Sequence, residues 1–241
     1  MRLVLASNNA KKLVELRALL AGLDIGLVAQ GELGIGEAPE PHATFIENAL
    51  AKARHAAAAC GGAAIADDSG LCVDALGGAP GVISAHYAAV DAAPGLEREA
   101  QRRLQDAANN ARLLREMQGR RERAACFVCT LVALRHADDP QPLIATGRWR
   151  GTLLEAPRGA GGFGYDPLLL IPELGRSVAE VDAATKNACS HRALAMAGMR
   201  ELLRAAWGVA EGGVGRDGGL PVRPAPGRDV GPAPGPEPGL P

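Results

Sequence analysis

The sequence predicts an α/β fold, and two patterns near its start carry that prediction. The apolar run "RLVLA" is typical of a short strand, and after a polar loop the segment "KKLVELRALLAGL" repeats leucine at helical spacing until Gly22. A strand, a loop and a helix in this order open an α/β unit. With 241 residues, of which 47% are hydrophobic, the chain can bury the core of one large domain or of two small lobes.

The next segments continue the alternation of helix and strand. In "TFIENALAKARHAAAA", Thr44 and Glu47 have the spacing of a helix capping box, and the apolar residues after them share one helix face. "AAIA" predicts a strand that ends in a turn at two adjacent aspartates, and "LCVDAL" predicts a second extended segment. Residues 96–118 predict one or two amphipathic helices, interrupted near Asn109 and Asn110.

The second half of the chain predicts a hairpin and a final helix. The strand candidates "AACFVCTLVALR" and "LIATGRWRGTLL" are separated by the polar turn "HADDPQP", and the last helix runs from about Ser190 to Trp207. The remaining sequence is rich in proline and glycine and has few large apolar side chains. We therefore expect residues 1–210 to form the domain and residues 211–241 to form a disordered tail.

Composition argues against several classes of protein. The 26 basic and 27 acidic residues are interspersed, which disfavours nucleic acid or an anionic membrane as a partner. No apolar run approaches the roughly 20 residues that span a bilayer, and the N-terminus is too polar for a signal peptide. Five cysteines form no disulfide framework, and the "CFVC" spacing lies in a strand where its thiols face opposite sides. We therefore expect a cytoplasmic protein without a zinc knuckle or redox pair.

The stretch "AIADDSG" contains the first candidate for chemistry. Adjacent carboxylates such as Asp67 and Asp68 raise each other's pKa when half-buried, and folds tolerate them where a cation or a proton is shared. A metal-assisted reaction is one interpretation. A solvated loop, turned by Ser69 and Gly70, is the other.

The loop "SNNAKK", between the first predicted strand and helix, is a candidate anion site. Backbone amides at a helix N-terminus, together with Lys11 or Lys12, suit a phosphate group. The loop lacks the glycines of a Walker motif. A simple helix cap is the structural alternative.

The segment "GAGGFG" satisfies the spacing of a dinucleotide-binding motif but not its context. Pro167 follows closely and favours an extended conformation at Asp166, so no helix starts where that motif needs one. A glycine loop carrying Phe163 and Tyr165 remains. These rings could stack on a planar base or simply pack in the core.

The segment "TKNACSHRALA" places cationic residues at the entrance to the last predicted helix. Lys186 and Arg192 are disfavoured beside the positive end of a helix dipole unless an anion lies between them. A phosphate or an acceptor-rich base would supply that partner, together with His191. Solvated cations with Ser190 as a plain cap are the alternative.

In order, these segments resemble the bacterial noncanonical purine nucleoside triphosphate pyrophosphatases, the inosine and xanthosine triphosphate pyrophosphatase family. The resemblance covers roughly residues 2–205 and rests on "LASNNAKKLVEL", "TFIENALAKA", "ADDSGLCVDALGGAPGVISAHYA", "GRWRGTL", "PRGAGGFGYDPLLLIPELG" and "KNACSHRALA". It implies an elongated, two-lobed α/β structure with a central mixed sheet flanked by helices and an active-site cleft between the lobes. It also implies a homodimer and hydrolysis of ITP, dITP or XTP to the monophosphate and pyrophosphate.

The resemblance also implies a role for each matching residue. Asp68 would be the general base and would bind Mg²⁺ with Glu40, while Lys52 and Asp67 would complete the catalytic floor. The residues implied to bind the purine nucleoside triphosphate are Ser7, Asn8, Asn9, Ala10, Lys11, Lys12 and Ser69 at the phosphates, and Phe163, Gly164, Tyr165, Asp166, Lys186, His191 and Arg192 at the base and sugar.

Two positions differ from the usual family pattern, and two other functions fit the same residues. Pro39 precedes Glu40 where family members often carry two glutamates, and His86 stands where they often carry arginine.

A regulatory module would bind ITP without turnover. A related house-cleaning pyrophosphatase would prefer modified pyrimidine triphosphates over dITP.

Overall fold

The computed structural model describes residues 1–90 and 95–212, which form one mixed sheet covered by helices. The strands are β1 Arg2–Leu5, β2 Gly26–Ala29, β3 Ala64–Val73, β4 Ala124–Leu134, β5 Leu143–Leu153, β6 Leu169–Ile171 and β7 Arg176–Ser177. The helices are α1 Ala10–Leu20, α2 Phe45–Cys60, α3 Arg98–Glu116, α4 Ala183–Cys189 and α5 His191–Trp207. The strand order is β2-β1-β3-β4-β5-β6-β7, with β1 parallel to both neighbours and every later pair antiparallel. The predicted α/β class with a central mixed sheet is confirmed.

Three apolar clusters fill the two lobes, and β3 runs through all of them. On one face of the sheet, Ile65 packs with residues of α1 and α5, and on the other face Ala66 packs with α2. Further along the same strand, Leu71 belongs to a third cluster that includes residues of α3, β5 and β6. The polar residues between Ala66 and Leu71 therefore lie where the two lobes meet.

Most predicted elements are present with their predicted ends. Thr44 caps α2 and accepts a hydrogen bond from the Glu47 amide, Ser190 caps α5, and β4 and β5 form the predicted hairpin. None of the helices in the described ranges has the length and apolar character to cross a bilayer. The predicted tail lies outside the described residues from position 213 onward, while Glu211 still pairs with Leu23.

Two local predictions are wrong. The aspartate pair does not lie in a turn, because β3 continues through it, with Asp67 opposite Leu131 and Asp68 opposite Thr130 on β4. The long partner strand pairs with all ten residues of β3, which the local sequence does not reveal. Asn109 and Asn110 do not interrupt α3, because their side chains bond to other segments rather than to the helix backbone.

The turn between β4 and β5 contains a buried carboxylate that yields a pH-dependent prediction. Asp139 accepts hydrogen bonds from the amides of Arg135 and Gln141, both at 3.0 Å. Burial alone would raise the pKa of Asp139, but these amides and the Arg135 guanidinium together hold it below its usual range. A lowered pKa in the folded state stabilises the fold above the unfolded pKa of about 4, and this contribution is lost as the pH falls.

We expect Asp139→Asn to lower the free energy of unfolding at pH 7 by about 1 kcal/mol, since the amide keeps only one acceptor atom. The difference from wild type should shrink toward pH 3. Urea unfolding at both pH values measures it, with the exposed neighbour Asp138→Asn as control. An equal deficit at both pH values would show that the charge of Asp139 is not its cause.

Candidate active site

A cleft of about 970 Å³ lies where the two lobes meet, and it gathers nearly all of the predicted site residues. Those that line it are Ser7, Asn8, Asn9, Lys11, Lys12, Glu40, Lys52, Asp67, Ser69, Phe163, Gly164, Tyr165, Asp166, Lys186, His191 and Arg192. Two predicted residues lie just outside this lining. Ala10 is the exposed first residue of α1, and the Asp68 side chain is buried against Lys52 and Asn48.

The loop before α1 combines a helix cap with two lysines at the cleft. Asn9 caps the helix, and its side chain accepts hydrogen bonds from the amides of Lys11 and Lys12 at 3.1 and 3.4 Å. The Lys11 ammonium lies 3.0 Å from the Glu99 carboxylate at the exposed mouth of the cleft. The capping interpretation is therefore correct, and it coexists with a cationic loop that can face an anion.

Asp67 joins cations from both ends of the chain on one face of β3. Its carboxylate is fully buried and lies 2.8 Å from the Lys12 ammonium and 3.7 Å from the Arg192 guanidinium. The Ser69 hydroxyl donates to the same carboxylate oxygen at 2.9 Å. Burial opposes its ionisation, but Lys12, Arg192 and Lys52 hold the pKa of Asp67 well below its usual range. Asp67 is therefore a permanent anion that ties α1 to α5.

Asp68 faces the other side of β3, and its pKa is raised where that of Asp67 is lowered. Its carboxylate lies 3.0 Å from the Lys52 ammonium and accepts a weaker hydrogen bond from Asn48 at 3.4 Å. Burial raises the pKa of Asp68 to about 6, although Lys52 lowers it. Burial also lowers the pKa of Lys52, but Asp68, Asp67 and Glu40 together raise it further, so Lys52 is charged. A carboxylate of raised basicity beside a fixed cation suits a general base.

Glu40, and not Asp67, is the carboxylate that shares a cation with Asp68. The Lys52 ammonium lies 3.2 Å from Glu40 and 3.0 Å from Asp68, so both carboxylates converge on one cationic position. The predicted turn is wrong, and within the strand Asp67 and Asp68 point to opposite faces, so Glu40 rather than Asp67 forms the second ion pair with Lys52.

The donor set formed by Glu40 and Asp68 fits Mg²⁺. Mg²⁺ prefers hard oxygen ligands and is usually held by one or two carboxylates together with water and substrate phosphates. Within the described ranges, no group of three or more His, Cys, Asp or Glu side chains forms a complete metal cage. A pair of carboxylates beside a cleft of about 970 Å³ is therefore the arrangement that a substrate-bound Mg²⁺ needs.

The cleft also carries Phe163 among polar groups, and the Lys11 ammonium lies 5.9 Å from the Phe163 ring centre. The Phe163 amide donates to the Asp166 carboxylate at 3.0 Å, and the Lys186 ammonium lies 2.7 Å from the same carboxylate and 5.0 Å from the Phe163 ring centre. Tyr165 is buried and donates its hydroxyl proton to the Ser84 carbonyl oxygen. Tyr165 therefore packs in the core under the cleft, while the half-buried Phe163 ring borders the cleft.

His191 and Arg192 close the cleft at the start of α5. The His191 ring stacks on Phe127, with 4.9 Å between ring centres, and burial together with Arg192 and Lys186 holds its pKa well below 6.5. His191 is therefore neutral. Arg192 pairs with Glu15 and with Asp67. The anion expected beside a cation at the start of a helix is therefore supplied by the protein's own carboxylates. Lys186 belongs to α4 and not to the entrance of α5.

Four buried polar atoms of cleft residues have no hydrogen-bond partner among the described residues. They are Asn8 Oδ1, Asp67 Oδ1, His191 Nδ1 and Arg192 Nε. Buried polar atoms are normally paired, and unpaired ones gathered along a cleft indicate a polar ligand.

Sequence reasoning missed two supporting residues, Glu15 and Asn48. Asn48 and Lys52 lie one helical turn apart on the buried face of α2, so two polar residues on an otherwise apolar face were the available signal. Glu15 contacts Arg192 across 177 residues of sequence, a pairing that no local pattern indicates.

Comparison with known proteins gives consistent matches across the domain. The sequence model of the Ham1 family matches residues 3–202. A dITP/XTP pyrophosphatase of Methylibium petroleiphilum is 71% identical over 86% of this chain and 99% of its own, and one of Leptothrix cholodnii is 68% identical over 87% and 100%. The structure of a HAM1 protein from Coxiella burnetii superposes with a TM-score of 0.76 at 39% identity, covering 86% of this chain and 100% of that one.

The close approach of α5 to β5 yields a prediction about the site's scaffold. A Cβ atom at Gly147 of β5 would lie 2.0 Å from the His191 carbonyl oxygen and 2.4 Å from the Ala195 amide nitrogen. We expect Gly147→Ala to displace the first turn of α5 and to lower the free energy of unfolding by about 1–3 kcal/mol.

Gly198→Ala is the matched control, measured alongside by thermal unfolding. There the added Cβ would lie 3.5 Å from the Ala145 side chain, an ordinary contact, and alanine favours a helix by about 1 kcal/mol over glycine. Its melting temperature should equal or exceed that of wild type. A Gly147→Ala protein as stable as wild type would contradict the close contact.

Proposed function

Since the chain belongs to the Ham1 family, we propose that it hydrolyses noncanonical purine nucleoside triphosphates such as dITP, XTP and ITP to the monophosphate and pyrophosphate. It is a nucleoside triphosphate pyrophosphohydrolase, which cleaves the bond between the α and β phosphates. One observation carries the proposal most directly: Asp68, with its raised pKa, shares the Lys52 ammonium with Glu40 beside a cleft that has a cationic loop at one end.

In this proposal the triphosphate lies along the loop before α1. Lys12 is held in place by the buried Asp67, and Lys11 reaches the cleft mouth, where it can exchange Glu99 for a phosphate. These cations, with Lys52, neutralise the negative charge that grows on pyrophosphate as it leaves. The amide groups at the start of α1 add the positive end of its dipole.

Glu40 and Asp68 are the residues that would hold Mg²⁺ with the substrate. A bound Mg²⁺ supplies charge neutralisation and orientation of the phosphate oxygens. Lys52 keeps both carboxylates together on one side of the cleft, so the two ligands are arranged in advance.

Asp68 removes the proton from the attacking water. The water oxygen forms a bond to the α phosphorus, the bond from that phosphorus to the bridging oxygen breaks, and pyrophosphate leaves with the bonding pair. A carboxylate with a pKa near 6 accepts this proton better than an ordinary aspartate and remains ionised at pH 7. Asn48 and Lys52 fix its orientation.

Selection of the base is assigned to the end of the cleft that carries Phe163, His191 and Arg192. Hypoxanthine and xanthine present an oxygen acceptor where adenine presents an amino donor. His191 and Arg192 line the cleft, and each has a buried nitrogen without a hydrogen-bond partner among the described residues. A buried donor left unpaired by ATP can discriminate by roughly 10⁴- to 10⁵-fold. The Phe163 ring supplies a face on which the purine stacks.

We also propose that the enzyme is a cytoplasmic homodimer of domain 1–210. Exposed apolar side chains such as Ile83 and Leu104, at 52% and 49%, are available for a protein contact, and the net charge of −1 offers no general attraction to nucleic acid or membranes. Light scattering at micromolar concentration should give twice the 24.8 kDa chain mass. A mass of one chain would contradict the dimer.

We expect Asp68→Asn to lower kcat for dITP by about 10²- to 10⁴-fold while nucleotide binding is kept, because the amide cannot accept the proton. The measurement is pyrophosphate release from dITP, XTP, dATP and dUTP, with and without Mg²⁺. Wild type should prefer dITP and XTP over dATP by at least about 100-fold and should require Mg²⁺.

Two variants sharpen that experiment. Asp74→Asn, the same change at an exposed position just after β3, should leave kcat unchanged. Glu40→Gln should raise the Mg²⁺ concentration needed for half-maximal rate. Binding of dITP without turnover would instead indicate a regulatory module, and faster hydrolysis of dUTP or of methylated pyrimidine triphosphates would indicate the pyrimidine-directed alternative.

A further inference from the structure

We propose that Asp106 and Asn110 of α3 are positioning residues that fix the Gly164 peptide and thereby hold Phe163 against the substrate base. This inference rests on the proposed function, because it assigns the means by which the base end of the same cleft is kept in shape. Neither residue lies in the motifs that indicate the family.

Both backbone groups of Gly164 are bound by one face of α3. The Gly164 amide donates to the Asp106 carboxylate at 2.9 Å, and the Gly164 carbonyl oxygen accepts from the Asn110 side chain at 3.0 Å. Asp106 and Asn110 are four residues apart, so they lie one above the other on the helix surface. Gly164 has a φ of +60°, a left-handed conformation that favours glycine.

These two bonds from Asp106 and Asn110, called here the clamp on Gly164, lie directly beside Phe163. The Phe163 amide is itself bound by Asp166 at 3.0 Å, so the two peptide groups on either side of the Phe163 Cα are fixed, one by Asp166 and the next by α3. The segment before them contains Gly159, Gly161 and Gly162, and such a segment has large conformational freedom. Without external bonds, the Phe163 ring would lose its fixed place at the cleft.

α3 is itself fixed, so it can serve as a support. Asn109 is buried, accepts from the Ala88 amide at 2.8 Å, and donates to the carbonyl oxygens of Ser84 and Ala85 at 3.2 and 3.1 Å. The adjacent asparagines therefore hold different segments. Asn109 attaches the helix to the segment after β3, and Asn110 attaches the glycine loop to the helix.

The test separates binding of the base from binding of the phosphates. Asp106→Ala and Asn110→Ala should each weaken competitive inhibition by dIMP by about tenfold, since a small misplacement of a binding group has effects up to about 100-fold. Inhibition by pyrophosphate, which carries no base for Phe163 to stack on, should not change. Asp106→Asn should retain dIMP affinity, because its amide oxygen can accept from Gly164. Arg115→Ala, an exposed change further along α3, is the control.

A double-mutant cycle tests whether Asp106 acts through Phe163. In a Phe163→Ala background, Asp106→Ala should cause no further loss of dIMP affinity. Equal losses in both backgrounds, an unchanged dIMP affinity in the alanine variants, or an equal loss for Asp106→Asn and Asp106→Ala would each overturn the proposal. If wild type does not hydrolyse dITP, the proposed function fails; if it does and the variants bind dIMP as wild type does, only the positioning role fails.

Discussion

The pleat of β3 is the constraint on which the site depends. Because successive residues of a strand point to opposite faces, Asp67 meets Lys12 and Arg192 beneath α1 and α5, while Asp68 meets Lys52 of α2. A register shift of one residue along β4 would exchange the two faces and remove both sets of partners. The ten paired residues of β3 therefore determine the chemistry of the cleft as well as its shape.

The two faces give identical side chains different properties. Asp67 is fully buried among three cations, and its pKa is held so low that it stays ionised throughout the physiological range. Burial raises the pKa of Asp68 to about 6, because Asp68 has only one close cation to oppose it and the nearby Glu40 carboxylate raises it further. Neighbouring carboxyl groups whose environments push their pKa values apart are the usual basis for separate roles in catalysis. Asp67 is therefore suited to structure, and Asp68 is suited to proton transfer.

The sequence predicted the larger helices and the hairpin from local signals, whereas it did not predict β2, β6, β7 or α4. Glu40 and Lys52 of the cleft came only from the family resemblance. Capping at Thr44 and at Ser190, the hairpin, and the polar loops at element ends follow from spacing alone. The prediction of a turn at the aspartates was wrong because the continuity of β3 depends on a partner strand about 60 residues away in sequence. The contacts of Glu15 and the clamp on Gly164 were not predicted for the same reason, since each contact joins segments that only the folded chain brings together.

The charge pairs of the cleft fall into a fixed set and an exchangeable set. Asp67 is fully buried and the Lys12 side chain is only 19% exposed, so breaking this pair leaves the Asp67 charge uncompensated in a poorly solvated place, which costs several kcal/mol. Lys11 and Glu99 are each about half exposed, at 48% and 46%, and an ion pair of that kind contributes little. A triphosphate can therefore displace Glu99 from Lys11 at small cost but cannot profitably displace Asp67 from Lys12. Substrate entry should consequently rearrange the mouth of the cleft and leave its floor unchanged.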